Sequence, residues 1–119
     1  MTPYLFAGLG IFDRRRFIKY RNSSEIDRII DIISNHYGLN DGALLRKTRN
    51  REIVFPRQIA MYLIRTKLKL TLKEIAKHFG KDHSTVIYSI DTITGLITND
   101  KKIRENVEYI EYLYDHKFK

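Results

Sequence analysis

The sequence predicts an all-α domain of about six helices with a helix-turn-helix inside it, and three observations carry that reading. After Ser24, apolar residues recur at i, i+3, i+4 and i+7 through most of the chain. Helix start and stop residues bracket those runs, most clearly Thr71 and Glu74 before one of them and Gly80 after it. The alternation of apolar and polar residues that marks a half-buried strand is missing, as are repeats and low-complexity tracts. At 119 residues the chain is large enough for one domain with a modest core.

Residues 1–22 show no clear period, and Pro3, Gly8 and Gly10 predict an irregular lead-in packed through Tyr4, Phe6 and Phe12. Residues 23–119 then form the domain. Ser23 or Ser24 can cap a first helix whose Ile26, Ile29, Ile30, Ile33 and Tyr37 share a face, with Gly38 as its stop. Asn40 offers a cap for a short turn holding Leu44 and Leu45. The stretch 45–55, LRKTRNREIVF, has no helical stripe and reads as an exposed basic loop. Pro56 suits a first helical turn, where its missing N–H costs nothing, and that helix runs to about Lys69 with Ile59, Ala60, Leu63 and Ile64 inward.

Thr71 and Glu74 then make a capping-box pattern for a short helix burying Leu72, Ile75, Ala76 and Phe79. Asp82 or His83 opens the next, with Val86, Ile87, Ile90, Ile93 and Ile97 at helical spacing. Asp100 caps a last helix bearing Ile103, Val107, Ile110 and Leu113.

Charge narrows the function. The net charge is +8 and the pI about 9.8. Leu44 to Lys81 holds 11 of the 22 Lys and Arg but only Glu52 and Glu74 of the 14 acids, so this segment is +9 and the rest of the chain −1. A localised face for a polyanion is expected. No apolar run approaches the ~20 residues of a membrane-spanning helix. Arg14, Arg15 and Arg16 follow the apolar N-terminal run, the wrong order for a secretory signal. Without cysteine there is neither a disulfide framework nor a thiolate metal site. A cytoplasmic protein is the plain expectation.

Short helix, glycine turn, second helix is the helix-turn-helix arrangement, whose second helix offers its N-terminal residues to base edges in the major groove. Asp82, His83, Ser84 and Thr85 are short hydrogen-bonding groups at that end, and the methyl of Thr85 can meet that of thymine. Asp82 or Ser84 serves equally well as a plain N-cap, and capping does not exclude base contact. His78 and His83 flank a turn, poor geometry for two metal ligands. Adjacent Asp82, His83 and Ser84 cannot line up as orienter, base and nucleophile. Gly80-Lys81 lacks the glycine and the Ser or Thr of a phosphate-binding loop, so no nucleotide is expected. Arg46, Lys47, Arg49 and Arg51 are either solvated charge or an arm reaching a minor groove. Arg14–Arg16 read as solvated surface, and Tyr109, Tyr112 and Tyr114 as core and rim packing.

These residues also carry a resemblance. Arg49-Asn50-Arg51, Phe55-Pro56-Arg57-Gln58 with the following Ile59 to Arg65, Leu72-Lys73-Glu74-Ile75-Ala76, and Phe79 to Val86 resemble the C-terminal DNA-binding domain (domain IV) of the bacterial chromosomal replication initiator, DnaA. The similarity runs from about Ser24 to Leu113. It implies that Asp82, His83, Ser84 and Thr85 read bases in the major groove and that Arg49, with Arg51, enters the minor groove. It further implies that Arg57, Gln58, Arg65, Lys73 and Lys81 meet the DNA backbone. Two departures stand out. The turn Gly80-Lys81-Asp82 is one residue shorter than the family's Gly-Gly-Arg-Asp, which implies an altered preferred sequence. The ATPase module that precedes this domain in the family is missing, so a stand-alone DNA reader is expected.

The expected function is sequence-specific binding of double-stranded DNA in replication initiation or its regulation, without catalysis, cofactor, metal or membrane. A monomer suffices for it, and the sequence leaves the oligomeric state open. The alternatives are a protein-interaction module acting on a replication initiator, kept alive by the acidic helix over 100–115, a transcriptional regulator, and more remotely an RNA binder or a nuclease.

Overall fold

The computed structural model describes the backbone of residues 14–116 and the side chains of residues 23–116. Five α-helices and one 3₁₀ turn follow one another, with no strand among the described residues. They are α1 (Arg14–His36), the 3₁₀ turn Ala43–Leu45, α2 (Arg51–Leu63), α3 (Leu72–Phe79), α4 (His83–Asn99) and α5 (Lys101–Asp115). The all-α expectation holds.

Helix α1 begins at Arg14, ten residues ahead of Ser24, so neither Ser23 nor Ser24 is its cap. Of the irregular lead-in expected over 1–22, residues 14–22 are helical backbone instead, while the rest, with Tyr4, Phe6 and Phe12, lies outside the described residues, as do the side chains of Arg14–Arg16. Ile26, Ile29 and Ile33 are buried as their spacing requires. The 3₁₀ turn takes its entry from Gly42 in a left-handed conformation, with the Ala43 N–H donating to the Asn40 carbonyl; no side chain caps it.

The largest difference from the sequence reading lies at α2. Its helix starts at Arg51, because the Asn50 side chain accepts a hydrogen bond from the Glu52 N–H at 3.0 Å and caps it there. The loop is therefore only Arg46 to Asn50, and Pro56 sits in the second turn, where it denies the Glu52 carbonyl its usual i+4 donor. Ile59, Ala60, Met61, Leu63 and Ile64 form the middle of the core, each at most 1% exposed. A widened π turn over Ile64–Leu68 extends α2 and ends where Lys69 turns left-handed at φ 57°. The Arg65 guanidinium closes this corner by donating to the Leu70 carbonyl at 2.6 Å.

Helix α4 packs between α2 and α5, burying Val86, Ser89 and Ile93. Ile87 does not join that stripe. It is 41% exposed, because 100° per residue carries it off the line of Val86, Ile90, Ile93 and Ile97. Asp100 is the whole connection to α5: its N–H donates to the Leu96 carbonyl and its carboxylate accepts from the Lys102 and Ile103 N–H groups. Helix α5 returns along α1, with Val107 and Ile110 buried. There Tyr114 donates to Glu25 at 2.6 Å, and the Arg28 guanidinium lies 4.1 Å from the Tyr114 ring while pairing with Glu25. Tyr109 and Tyr112 are half exposed on the outer side of α5.

Candidate nucleic-acid interface

The site is built on α3, the turn after it, and the first turn of α4. Thr71 and Glu74 make the expected capping box: the Glu74 N–H donates to Thr71 Oγ1 at 3.1 Å, and the Thr71 N–H donates to Glu74 Oε1 at 2.9 Å. Two donors at the start of an eight-residue helix are thus satisfied by its own side chains, which fixes where α3 begins. Its other end closes as a Schellman motif. Gly80 is left-handed at φ 64°, its N–H donates to the Lys77 carbonyl, and the Lys81 N–H donates to the Ala76 carbonyl at 2.9 Å. The chain thus turns sharply in three residues, Gly80 to Asp82, and enters α4 at His83.

Asp82 stands at the N-cap with extended backbone, and its carbonyl accepts from the Val86 N–H, yet its side chain makes no capping bond. Its carboxylate is not committed to the helix and remains exposed, together with His83, Ser84 and Thr85. Four polar side chains are therefore displayed on the first turn of α4, with the N–H groups of that turn beside them.

A set of cations flanks this end. Lys81 sits in the turn itself. Its pKa is lowered by burial first, then by the Arg57 and Lys47 cations. Both charges acting on it are positive, so the turn and the foot of the basic loop converge on one electropositive spot. Arg49 is exposed in the loop. Arg51 is exposed in the first turn of α2, with its guanidinium 5.4 Å from the Phe55 ring centre. Lys73 is exposed in the first turn of α3, and Arg65 is exposed while holding Leu70.

Arg57 and Gln58, the other two residues expected at the DNA backbone, are largely buried, at 5% and 6% exposed. Arg57 Nε donates to the Leu44 carbonyl at 2.9 Å and another of its guanidinium nitrogens to the Arg46 carbonyl at 2.5 Å; burial lowers its pKa. It ties the foot of the basic loop to α2. Gln58 Oε1 is buried without a hydrogen-bond partner. Two outward residues escaped the sequence reading: Ile87 and Tyr88, 41% and 67% exposed, lie one turn beyond Ser84. Among the described residues, no group of three His, Asp or Glu could hold a metal ion, and no helix is long and apolar enough to cross a membrane.

Comparison with known proteins identifies this arrangement. The family model described as the bacterial dnaA protein helix-turn-helix matches residues 26–93, more than half of the chain, from α1 into α4. The chain belongs to the bacterial DnaA helix-turn-helix family. Among curated DnaA chromosomal replication initiator proteins, that of Bacteroides fragilis is 40% identical over 89 residues, which are 74% of this chain and 19% of the relative. That of Xanthobacter autotrophicus is 37% identical over 89 residues, 74% of this chain and 18% of the relative. The chain thus spans about a fifth of the length of the DnaA proteins it matches. A solved crystal structure described as a DNA replication initiation factor superposes with a TM-score of 0.78 at 26% identity, covering 93% of this chain and 34% of the other.

Proposed function

We propose that this DnaA-family chain binds double-stranded DNA sequence-specifically, in replication initiation or its regulation, as a binding module rather than an enzyme. Asp82, His83, Ser84 and Thr85 read base edges in the major groove, Arg49 and Arg51 reach the minor groove, and Arg65, Lys73 and Lys81 hold phosphates. Arg57 serves by anchoring the loop that carries Arg49. The observation that carries this reading is the exposed, uncommitted polar turn at the start of α4 beside the cations of Lys47, Arg57 and Lys81. Phosphate contacts supply salt-sensitive affinity, and base contacts supply specificity.

Selection from a random duplex pool at two salt concentrations tests the proposal, with one enriched motif as the expected result and none as its refutation. On that motif His83→Ala costs about 1–3 kcal/mol, with little loss on random DNA. Equal losses on both sink the base-reading role. A second reading, a protein-interaction module acting on a replication initiator, draws on half-exposed Tyr109 and Tyr112 on α5.

A further inference from the structure

The outer face of α4 beyond Thr85 has a chemistry of its own. At 100° per residue, Ser84 and Asp91 mark the centre line of the solvent side, opposite buried Val86, Ser89 and Ile93, and Ile87 and Tyr88 flank that line. The burial pattern is inverted here: Ser89, a hydroxyl, is 3% exposed, while neighbouring Tyr88 is 67% and Ile87 41% exposed. From His83 to Asn99 the helix carries no Lys or Arg. This face therefore offers apolar surface and no cation for a phosphate, although it continues the polar turn that ends in Thr85.

Resting on the DNA-reading role proposed above, we infer that Ile87 and Tyr88 form a methyl-reading patch that recognises thymine C5-methyl groups in the major groove. Their positions fit this role. Each residue advances about 1.5 Å along the helix, so Tyr88 stands about 7.5 Å beyond His83, and Ile87 slightly less. That reach equals roughly two base-pair steps at about 3.4 Å each. The thymine methyl is the one apolar group the major-groove edges present, and it distinguishes T·A from C·G with no hydrogen bond needed. Ile87 supplies a branched aliphatic surface and Tyr88 a ring face, both already outside the core, so no repacking of α4 is required. The occupant is the groove rather than an apolar protein, because the patch is continuous with Ser84 and Thr85 and lies beside a segment carrying a +9 charge.

The test uses the duplex enriched by selection with the full chain. Each thymine is replaced in turn by deoxyuridine, which removes only the C5 methyl, and affinity is measured for the wild type, Ile87→Ala and Tyr88→Ala. One or two positions should weaken wild-type binding about four-fold, the worth of one buried methyl group. In the variant that lacks the contacting side chain the same replacement should change nothing. Losses of the same size in wild type and both variants, or no methyl-sensitive position, overturn the inference. Enrichment of no sequence at all overturns the DNA-reading role itself, so the two failures are separable. Circular dichroism melts keep loss of fold apart from loss of contact.

Discussion

Replacing Arg57 with Met separates anchoring of the loop from holding of a phosphate. Methionine keeps much of the aliphatic stem and deletes the guanidinium, so packing is nearly conserved while both hydrogen bonds disappear. The Leu44 carbonyl, on a residue with no exposure, loses a charge-assisted bond worth about 1.5–3 kcal/mol. The Arg46 carbonyl, on an exposed residue, can turn to water, so its loss adds little. Against these stands the relief of no longer burying a charge, the effect that lowers the Arg57 pKa. A net destabilisation of about 2 kcal/mol follows, or roughly 10 °C in Tm for a domain of this size. Thermal and urea unfolding read that number directly. The slope of log K against log salt supplies the discriminating readout, since each phosphate contact contributes about 0.9. An anchoring role predicts a lower Tm with an unchanged slope at temperatures where the variant is folded. An unchanged Tm with a slope smaller by about one would refute the anchor and return Arg57 to the DNA backbone.

Two further perturbations test the joints around the site. Gly80→Ala meets no atom within 4 Å of the new Cβ, so its cost is the left-handed backbone alone, about 1–2 kcal/mol; Gly80→Asn should recover part of it, and equal stability of all three chains contradicts the motif. The pKa of Tyr114 is pushed up to about 12 by burial, then by the hydrogen bond and the charge of Glu25. Its folded value exceeds the unfolded value near 10, so the stabilisation is fully present below about pH 10 and is lost as pH rises toward 12. Unfolding of wild type and Tyr114→Phe across that window should show the extra decline in the wild type only, and parallel curves would remove the Tyr114–Glu25 bond from the account.

Local signals were legible wherever the chemistry is local. Thr71 and Glu74, three apart, announced a capping box, and Gly80 announced a stop, because each needs only its own neighbourhood. The start of α2 was obscured by competition between two good signals. Pro56 is a strong first-turn residue, but Asn50 with Glu52 in the first turn prevailed, and the five residues between carry no complete stripe. The burial of Arg57 left no pattern at all, since its partners are backbone carbonyls and any residue has one. Ile87 was legible in principle. Plotted at 100° per residue it leaves the line of Val86, Ile90 and Ile93, and only its apolar character suggested otherwise. The polar turn from Asp82 to Thr85 was found by position, but that the carboxylate of Asp82 would stay out of the cap depends on a rotamer no sequence spells out.

The Asp100 joint leaves the chain no slack between its two longest C-terminal helices. One residue closes α4 and opens α5, so the angular phase of α5 is inherited from α4 through a single set of dihedrals. A residue inserted just past that joint, in the first turn of α5, would carry Val107 and Ile110 about 100° around the helix and out of the interior. The loop from Arg46 to Asn50 behaves oppositely, since its two flanks are each fixed independently, by Arg57 on one side and by the Asn50 cap on the other. Length can vary in the arm that carries Arg49 without disturbing the phase of any helix, whereas just past Asp100 even one residue changes the face that α5 turns to the core.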